Sequence, residues 1–444
     1  MIVYPVRCTL ICAHFVASVI RILQWVNVSG TATIVRGVQY IPMAPRTEKI
    51  QNLLTRNVQE VIDFPHLEGA LRGGRRLRVK LGIDPTGNKI HIGRAVIIWK
   101  LRQFQDLGHK AVLIIGDFTA QIGDPSDKLS KRPFLTTTQI KTNLKNYLPQ
   151  IGKILDLKKT EVRYNSEWLS KLNFRETAQL TESFSVNQML RRRAFRERWK
   201  KDEDISLREF MYPLMQGYDS VMVKADVELG GEDQLFNLLA GREIQKHYGQ
   251  KPQDILTTKM LTGTDGRKMS TSWENVINIT DTPDEQYGRV MSVLDEVMIE
   301  YFELTTDMAE DEIARYKKAL AQGDMHPKAI KEKLAFEIVK RYHGVPAAQR
   351  AAVRFETLFT KGEVVADALP LRLAKKTMRA ADVVAASGVT KSKSDAWRLV
   401  TQGGLDVAGR AVRDPNAMLT FAGGEMVRVG KKGFFRVELK DKKQ

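Results

Sequence analysis

Two apolar runs flank one amphipathic stretch early in the chain, and this arrangement constrains the fold more than any other feature. Leu77-Arg78-Val79-Lys80-Leu81-Gly82-Ile83 reads as a strand, Ala95 to Leu107 as a helix closed by Gly108, and Ala111-Val112-Leu113-Ile114-Ile115 as a second strand. Short connections between strand, helix and strand make a right-handed crossover joining parallel neighbours. Parallel strands are covered on both faces, so the expected class is α/β: a Rossmann-like, doubly wound parallel sheet. The first strand ends in Asp84-Pro85-Thr86-Gly87, and His91-Ile92-Gly93-Arg94 opens the helix. A strand-to-helix turn of this kind holds anions, because the free N–H groups and dipole of the helix point at it. The chain has no Gly-x-Gly-x-x-Gly here, which weakens a dinucleotide reading.

The rest of the chain extends this unit. Ile50, Leu53, Leu54, Val58, Val61 and Ile62 recur at helical spacing and predict a helix over 47–63. Residues 135–205 read as a mostly helical insertion with basic clusters at 191–193 and 196–201. Sheet structure is expected again around 220–227, then a helix over 234–248. Residues 283–360 carry helical periodicity, and the stretch with Gly362 and Pro370 reads as a linker. The last segment alternates a short helix pair with β-like runs at 426–429 and 434–439. The expected domains are a leader of doubtful function at 1–42, a catalytic domain with the insertion at 43–280, a helical domain at 281–360, a linker at 361–377 and a small α+β domain at 378–444.

Four clusters converge on one chemistry. Gly82, Asp84, Thr86, His91, Gly93 and Arg94 surround the helix opening, where His91 and Thr86 can hydrogen-bond phosphate oxygens. A loop histidine is more often structural, but this position between strand and helix reverses the odds. Asp117 to Ser126 follows the second strand, so Asp124 lies at the carboxyl edge of the sheet and can pair with an ammonium group; the plainer reading is an Asx turn before Pro125. In Tyr212-Pro213-Leu214-Met215-Gln216-Gly217-Tyr218-Asp219, helical spacing puts a phenol, an amide and a carboxylate on one face. Apolar flanks, Phe210, Met211, Leu214 and Met215, favour burial of that face over solvation. Gly230-Gly231-Glu232-Asp233-Gln234 is a glycine turn in which Asp233 can accept ribose hydroxyls. Farther on, a loop rich in Gly, Thr and charge carries Lys268-Met269-Ser270-Thr271-Ser272 and can bring a lysine to a nucleotide's phosphates.

His91-Ile92-Gly93-Arg94 and Lys268 to Ser272 resemble the HIGH and KMSKS signatures of class I aminoacyl-tRNA synthetases. With Leu77 to Gly123, Asn165, Ser183 to Met189, Tyr212 to Asp219 and Gly230 to Gln234, the order and spacing resemble the tyrosyl-tRNA synthetase family over nearly all of residues 47–440. The resemblance implies a two-step reaction, in which ATP and tyrosine give tyrosyl-adenylate and the tyrosyl group passes to the 3′ end of tRNA(Tyr). It implies that Thr86, His91 and Lys268 are catalytic, stabilising the pentacovalent phosphate and leaving pyrophosphate. Gly82, Asp84, His91, Gly93, Arg94, Gly231, Asp233, Lys268, Ser270 and Thr271 would bind ATP, which arrives with Mg²⁺; no tightly bound protein metal is implied. Asp124, Tyr212 and Gln216 would grip the tyrosine ammonium, Gln234 its carboxylate and Asp219 its hydroxyl, with Asn165 in the same pocket. Arg94 stands where the family usually has its second histidine, and Thr271 replaces the second lysine of KMSKS. Lys80 and Leu81 replace a tyrosine and a small residue of many relatives, and Glu232 adds negative charge beside the glycine turn.

The net charge of +18 calls for a polyanionic partner. From Lys375 to the end there are 15 Lys/Arg against 7 Asp/Glu, a net +8, whereas residues 48–374 carry only +6. This tail resembles an S4 RNA-binding domain, with Lys391, Lys393, Arg398 and Arg410 implied to meet RNA phosphates; a solvated basic surface is the plainer alternative. The resemblance further implies a homodimer. Cys8 and Cys12 are the only cysteines, too few for a four-thiolate zinc site, and a reducing, cytoplasmic setting is expected. Residues 1–42 contain no acid, and Arg7, His14 and Arg21 interrupt their apolar run, so they do not read as a membrane span. They are expected to be upstream of a true start at Met43, or else an organellar transit peptide. Competing readings are a tryptophanyl-tRNA synthetase or a nucleotidyltransferase, both disfavoured by Asp219 and the tail, and a catalytically weakened RNA-binding protein.

Overall fold

The computed structural model describes residues 46–124, 135–359, 369–390, 392–408, 410–430 and 433–439. Residues 1–42 with both cysteines, Pro125 and Ser126, residues 361–368 of the expected linker, and Lys391 lie outside the described residues.

The main sheet has six strands: β1 (Val58–Ile62), β2 (Arg78–Ile83), β3 (Lys110–Ile115), β4 (Glu161–Tyr164), β5 (Val227–Gly231) and β6 (Asp254–Thr258). Their spatial order is β1-β6-β5-β2-β3-β4. All neighbours are parallel except the edge strand β1, which runs antiparallel to β6. This is the doubly wound sheet expected from the sequence. Ala111 to Ile115 of β3 are fully buried, which accounts for their unbroken apolar run. Between β2 and β3 the helix Ile92–Asp106 buries Ile92, Ala95, Val96, Ile98, Leu101 and Phe104 against the sheet. Gly108, at φ 92°, turns the chain into β3. Chain order reverses between β2 and β5, and it is outside the carboxyl ends of such a strand pair that α/β sheets bind ligands.

Three expectations shift. The helix over 47–63 stops at Thr55: Asn57 takes φ 61° and Val58–Ile62 becomes the edge strand, where its β-branched residues pair with β6. Around 220–227 the chain stays helical through Val223, ends at Lys224 with φ 49°, and re-enters the sheet only at Val227. The insertion is helical as expected but also contributes β4.

The sheet and the helices between Pro283 and Phe359 share one buried cluster, which includes Leu81, Tyr301, Leu334 and Ile338. The tail has its own core. Leu371, Leu373, Val383, Val384, Ala396, Val400, Val427 and Val437 bring helices Ala380–Ala386 and Lys393–Thr401 together with a five-stranded sheet.

Candidate active site

His91 caps the helix Ile92–Asp106. Its Nδ1 accepts from the Arg94 backbone N–H at 3.3 Å. That contact fixes the tautomer, since a neutral imidazole accepting at one nitrogen carries its proton on the other, Nε2. Burial, with the Arg94 guanidinium second, pushes the His91 pKa down to about 3. The ring is therefore a neutral hydrogen-bond donor at physiological pH. Arg94 donates through Nη2 to Thr86 Oγ1 at 3.1 Å and also bonds the buried Tyr147 hydroxyl. Tyr147 belongs to the insertion helix Thr137–Ile151, whose Asn143 donates to Pro85 O at 2.8 Å. One helix of the insertion thus clasps the Asp84-to-Thr86 turn.

The segment after the Lys268 loop pairs with the histidine segment: Ile92 N–H donates to Ile277 O at 2.8 Å, and Ile279 N–H to Ile90 O at 3.0 Å. Met269 completes the junction. A Cβ on Gly93 would lie 3.0 Å from Met269 Sδ and 3.1 Å from His91 Nδ1, so these two groups close tightly over a helix start that glycine keeps clear. Asn275 braces the loop, accepting from Ser270 N–H at 2.8 Å and donating to Asp265 at 2.7 Å and Lys268 O at 3.1 Å. Lys268 Nζ lies 3.3 Å from Asp233 Oδ2, bringing the lysine of one cluster to the carboxylate of another. The glycine at 231 matters here, since a Cβ there would stand 2.8 Å from Asp233 Oδ1.

Asp84 turns out to join the phosphate-side turn to the Tyr212 helix. Its Oδ1 accepts from Thr119 Oγ1 at 2.8 Å and its Oδ2 from the Tyr212 hydroxyl at 3.0 Å. Burial raises its pKa to about 6 against those two hydrogen bonds, and raises that of the Tyr212 phenol. A side chain on Gly116 would collide with Asp84 Oδ1, at 1.9 Å.

Tyr212, Gln216 and Asp219 do share one face of the helix Leu207–Val223, and Tyr212 and Asp219 are buried. Asp219 accepts from Trp168 Nε1 at 2.8 Å and from Asn165 Nδ2 at 3.3 Å. Asn165 also bonds Thr119 Oγ1 at 3.0 Å and the Phe118 N–H at 3.0 Å, tying this helix to the end of β3. Burial raises the Asp219 pKa to about 7, opposed first by Lys80 and then by Trp168 and Asn165. Asp124 faces Gln234 Nε2 at 2.7 Å and the buried Arg192 at 3.2 Å, and Asn237 holds the Gln234 carbonyl at 2.9 Å. Gly82, next to last in β2, has nothing within 4 Å of where a Cβ would stand.

The structure therefore brings together Asp84, Thr86, His91, Gly93 and Arg94, links Asp233 to Lys268, and gathers Asp124, Asn165, Tyr212, Asp219 and Gln234. Ser270 is held by its backbone, and Thr271 begins a single 3-10 turn. Sequence reasoning missed Tyr147, Trp168, Arg192, Glu228 and Asn275. Trp168 alone had a usable signal, standing one helical turn after Asn165. In the tail Lys393 and Arg410 are exposed, and Arg398 pairs with Asp395. Asp63, His66 and Asp254 lie within reach of one metal ion, but at the opposite end of β6, with both His66 nitrogens already facing Asp254 or Lys251.

The family model described as tRNA synthetases class I (W and Y) matches residues 72–360. The Tyrosine--tRNA ligase of Thermotoga maritima is 43% identical over 391 residues, covering 88% of this chain and 97% of that protein. That of Aquifex aeolicus is 44% identical over 391 residues, covering 88% and 98%. Among solved structures, a C-terminally truncated mitochondrial tyrosyl-tRNA synthetase from Aspergillus nidulans superposes with a TM-score of 0.57 at 20% identity, over 71% of this chain and 95% of that one. The tyrosyl-tRNA synthetase of Archaeoglobus fulgidus complexed with L-tyrosine gives 0.55 at 22% identity, over 69% and 99%. At such identities these two structures bear on the fold alone.

Proposed function

Since this chain belongs to the class I tRNA synthetases, and within them to the tyrosine–tRNA ligases that activate tyrosine with ATP and pass it to tRNA, we propose which of its residues do this work. Tyr212, Gln216 and Asp124 hold the tyrosine ammonium, Gln234 lies near its carboxylate, and Asp219 accepts the phenolic proton while Trp168 and Asn165 fix its two oxygens. The buried Asp219 with its two fixed donors is the observation that carries this reading. A hydroxyl donor suits a buried carboxylate that has acceptor capacity beyond its two fixed donors, and phenylalanine offers no donor for it. On the ATP side, Asp233 and Gly231 receive the ribose, Gly82 and Gly93 leave room for the nucleotide, and Ser270 and Thr271 line the loop. Thr86, His91, Arg94 and Lys268 stabilise charge as pyrophosphate departs. His91 acts there as a neutral donor through Nε2, so Arg94 and Lys268 supply the positive charge. The substrate carboxylate is the nucleophile, and Mg²⁺ comes as part of the ATP substrate. Catalysis is positioning and electrostatic stabilisation.

The tail acts as an S4-type RNA-binding domain on tRNA(Tyr), with Lys391, Lys393, Arg398 and Arg410 on phosphates, and it takes in the strand Leu369–Leu373, which lies inside the expected linker 361–377. The chain works as a homodimer in the cytoplasm. Phe174, Val186 and Trp199, exposed at 90, 60 and 67%, support an apolar interface on the insertion. No helix among the described residues is long and apolar enough to cross a membrane.

Tyrosine-dependent ATP–pyrophosphate exchange tests the assignment. Asp219→Ala is expected to raise KM for tyrosine by about 100-fold while shifting KM for ATP by less than about threefold, as loss of a charge-assisted hydrogen bond implies. Equal losses for both substrates would remove Asp219 from the phenol site.

A further inference from the structure

Behind the helix that carries Tyr212, Gln216 and Asp219 lies a buried ion pair with no role in the scheme above. Lys80 of β2 and Glu228 of β5 are direct partners across the parallel strands that flank the switch point. Both side chains are fully buried, and Lys80 Nζ lies 2.9 Å from Glu228 Oε1. The ammonium also donates to Gln216 O and to Ser220 Oγ, each at 2.7 Å, so its three protons have three acceptors. The carboxylate is equally engaged. Its Oε1 accepts from Gln216 Nε2 at 3.2 Å, and its Oε2 from Ser220 Oγ at 3.2 Å and from Gln253 Nε2. Gly241 makes the closure possible, since a Cβ there would stand 2.6 Å from Gln253 Nε2 and 3.2 Å from Glu228 Oε2.

A buried pair of this kind contributes little stability over a well-packed apolar pair, so its presence needs another account. The chemistry of an amide supplies one. A glutamine side chain has one end that donates and one that accepts, and the two have nearly the same shape. Beside a carboxylate that can only accept, Gln216 must turn its NH₂ group inward, which presents Oε1 outward as an acceptor. An acceptor is what an ammonium group requires.

We propose that Lys80 and Glu228 are a positioning pair for amino-acid recognition: Glu228 dictates the orientation of the Gln216 amide, and Lys80 holds that carboxylate in place and anchors the Gln216 main chain. The pair sets selectivity for a substrate bearing a free ammonium group. This inference rests on the reading that Gln216 contacts the tyrosine ammonium.

Two tyrosine analogues separate the contributions. Tyramine keeps the ammonium and lacks the carboxylate, and 3-(4-hydroxyphenyl)propionate keeps the carboxylate and lacks the ammonium. Their dissociation constants are measured by calorimetry on the full chain and on Glu228→Gln, Lys80→Met/Glu228→Gln and Gln216→Ala. The double variant removes both buried charges, so it folds even where a single variant leaves one ion unpaired; near-native circular dichroism and an unchanged KM for ATP establish this. The tyramine-over-propionate preference is expected to fall about tenfold in the double variant and in Gln216→Ala, the worth of one hydrogen bond to a charged group. A merely structural pair would weaken both analogues alike and leave the ratio unmoved, and that result in the folded double variant would overturn the proposal. An unmoved ratio in Gln216→Ala would instead overturn the ammonium reading on which it rests.

Discussion

At the residue scale, two buried groups give this site its pH behaviour. The Asp219 pKa is raised to about 7, so its charged form, to which we assign the hydrogen bond from the phenol hydroxyl, is lost as pH falls through 7. We expect kcat/KM for tyrosine to fall on the acid side of about 7, and Asp219→Asn, which cannot ionise, to abolish that limb along with most tyrosine affinity. The stability consequence has a definite sign. A carboxylate raised from 3.8 to about 7 binds its proton more tightly when folded, so the fold loses stability as pH rises between those values and holds level above them. The difference in Tm between Asp219→Asn and wild type should therefore grow in the variant's favour from pH 4 to pH 7, read by thermal denaturation across that range. A difference that does not change with pH would show that the Asp219 carboxyl titrates alike in both states. His91 works in the opposite direction: with its pKa lowered from 6.5 to about 3, the fold loses stability as pH falls through that window. Sequence alone marked both residues because each stood at a recognisable turn or helical spacing. The apolar flanks pointed to burial of the Asp219 face, but sequence could not show the contacts that meet these groups: the Arg94 N–H at His91, and Trp168 and Asn165 at Asp219.

At the scale of elements, the helix that carries Tyr212, Gln216 and Asp219 owes its position to glycine. Leu207–Val223 crosses Leu235–His247 so closely that a Cβ on Gly217 would lie 2.5 Å from Ile244 Cδ1 and 3.1 Å from Gly241 Cα. Gly217→Ala should lower unfolding stability by about 1–3 kcal/mol, the usual cost of overpacking. Urea denaturation measures it, and tyrosine affinity should fall with it because Gln216 and Asp219 ride on the displaced helix. An unchanged midpoint would mean that the two helices separate freely. The central elements β2, Ile92–Asp106 and β3 were legible because periodicity, length and breakers agreed. β1 was hidden because Val58, Val61 and Ile62 continue the helical spacing of Ile50, Leu53 and Leu54; only the left-handed Asn57 ends the helix. β4 went unread because its four residues, Glu161–Tyr164, are too few and too polar to show a period, and it takes strand form from its pairing with β3.

For the whole molecule, the tail has a core of its own over residues 371–437, distinct from that of the catalytic body. A chain ending at Phe359 is expected to keep tyrosine-dependent exchange within about threefold and to lose tRNA affinity that varies with salt. In the full chain, Lys393→Ala and Arg410→Ala should each reduce the slope of log affinity against log salt by about 1. Unchanged slopes would take those two residues off the RNA. Function was more legible than geometry, because the signature segments declare themselves locally while Tyr147, Arg192 and Glu228 gain meaning only from partners far along the chain. That distance also bears on engineering. The sulfur of Met269 fills the notch that Gly93 leaves beside His91, so the two signatures are not interchangeable modules. A loop grafted from another synthetase has to bring a side chain of the same length to that notch, and a grafted histidine segment has to keep its glycine. Otherwise, the recipient inherits the motif without the fit that sets it over the helix.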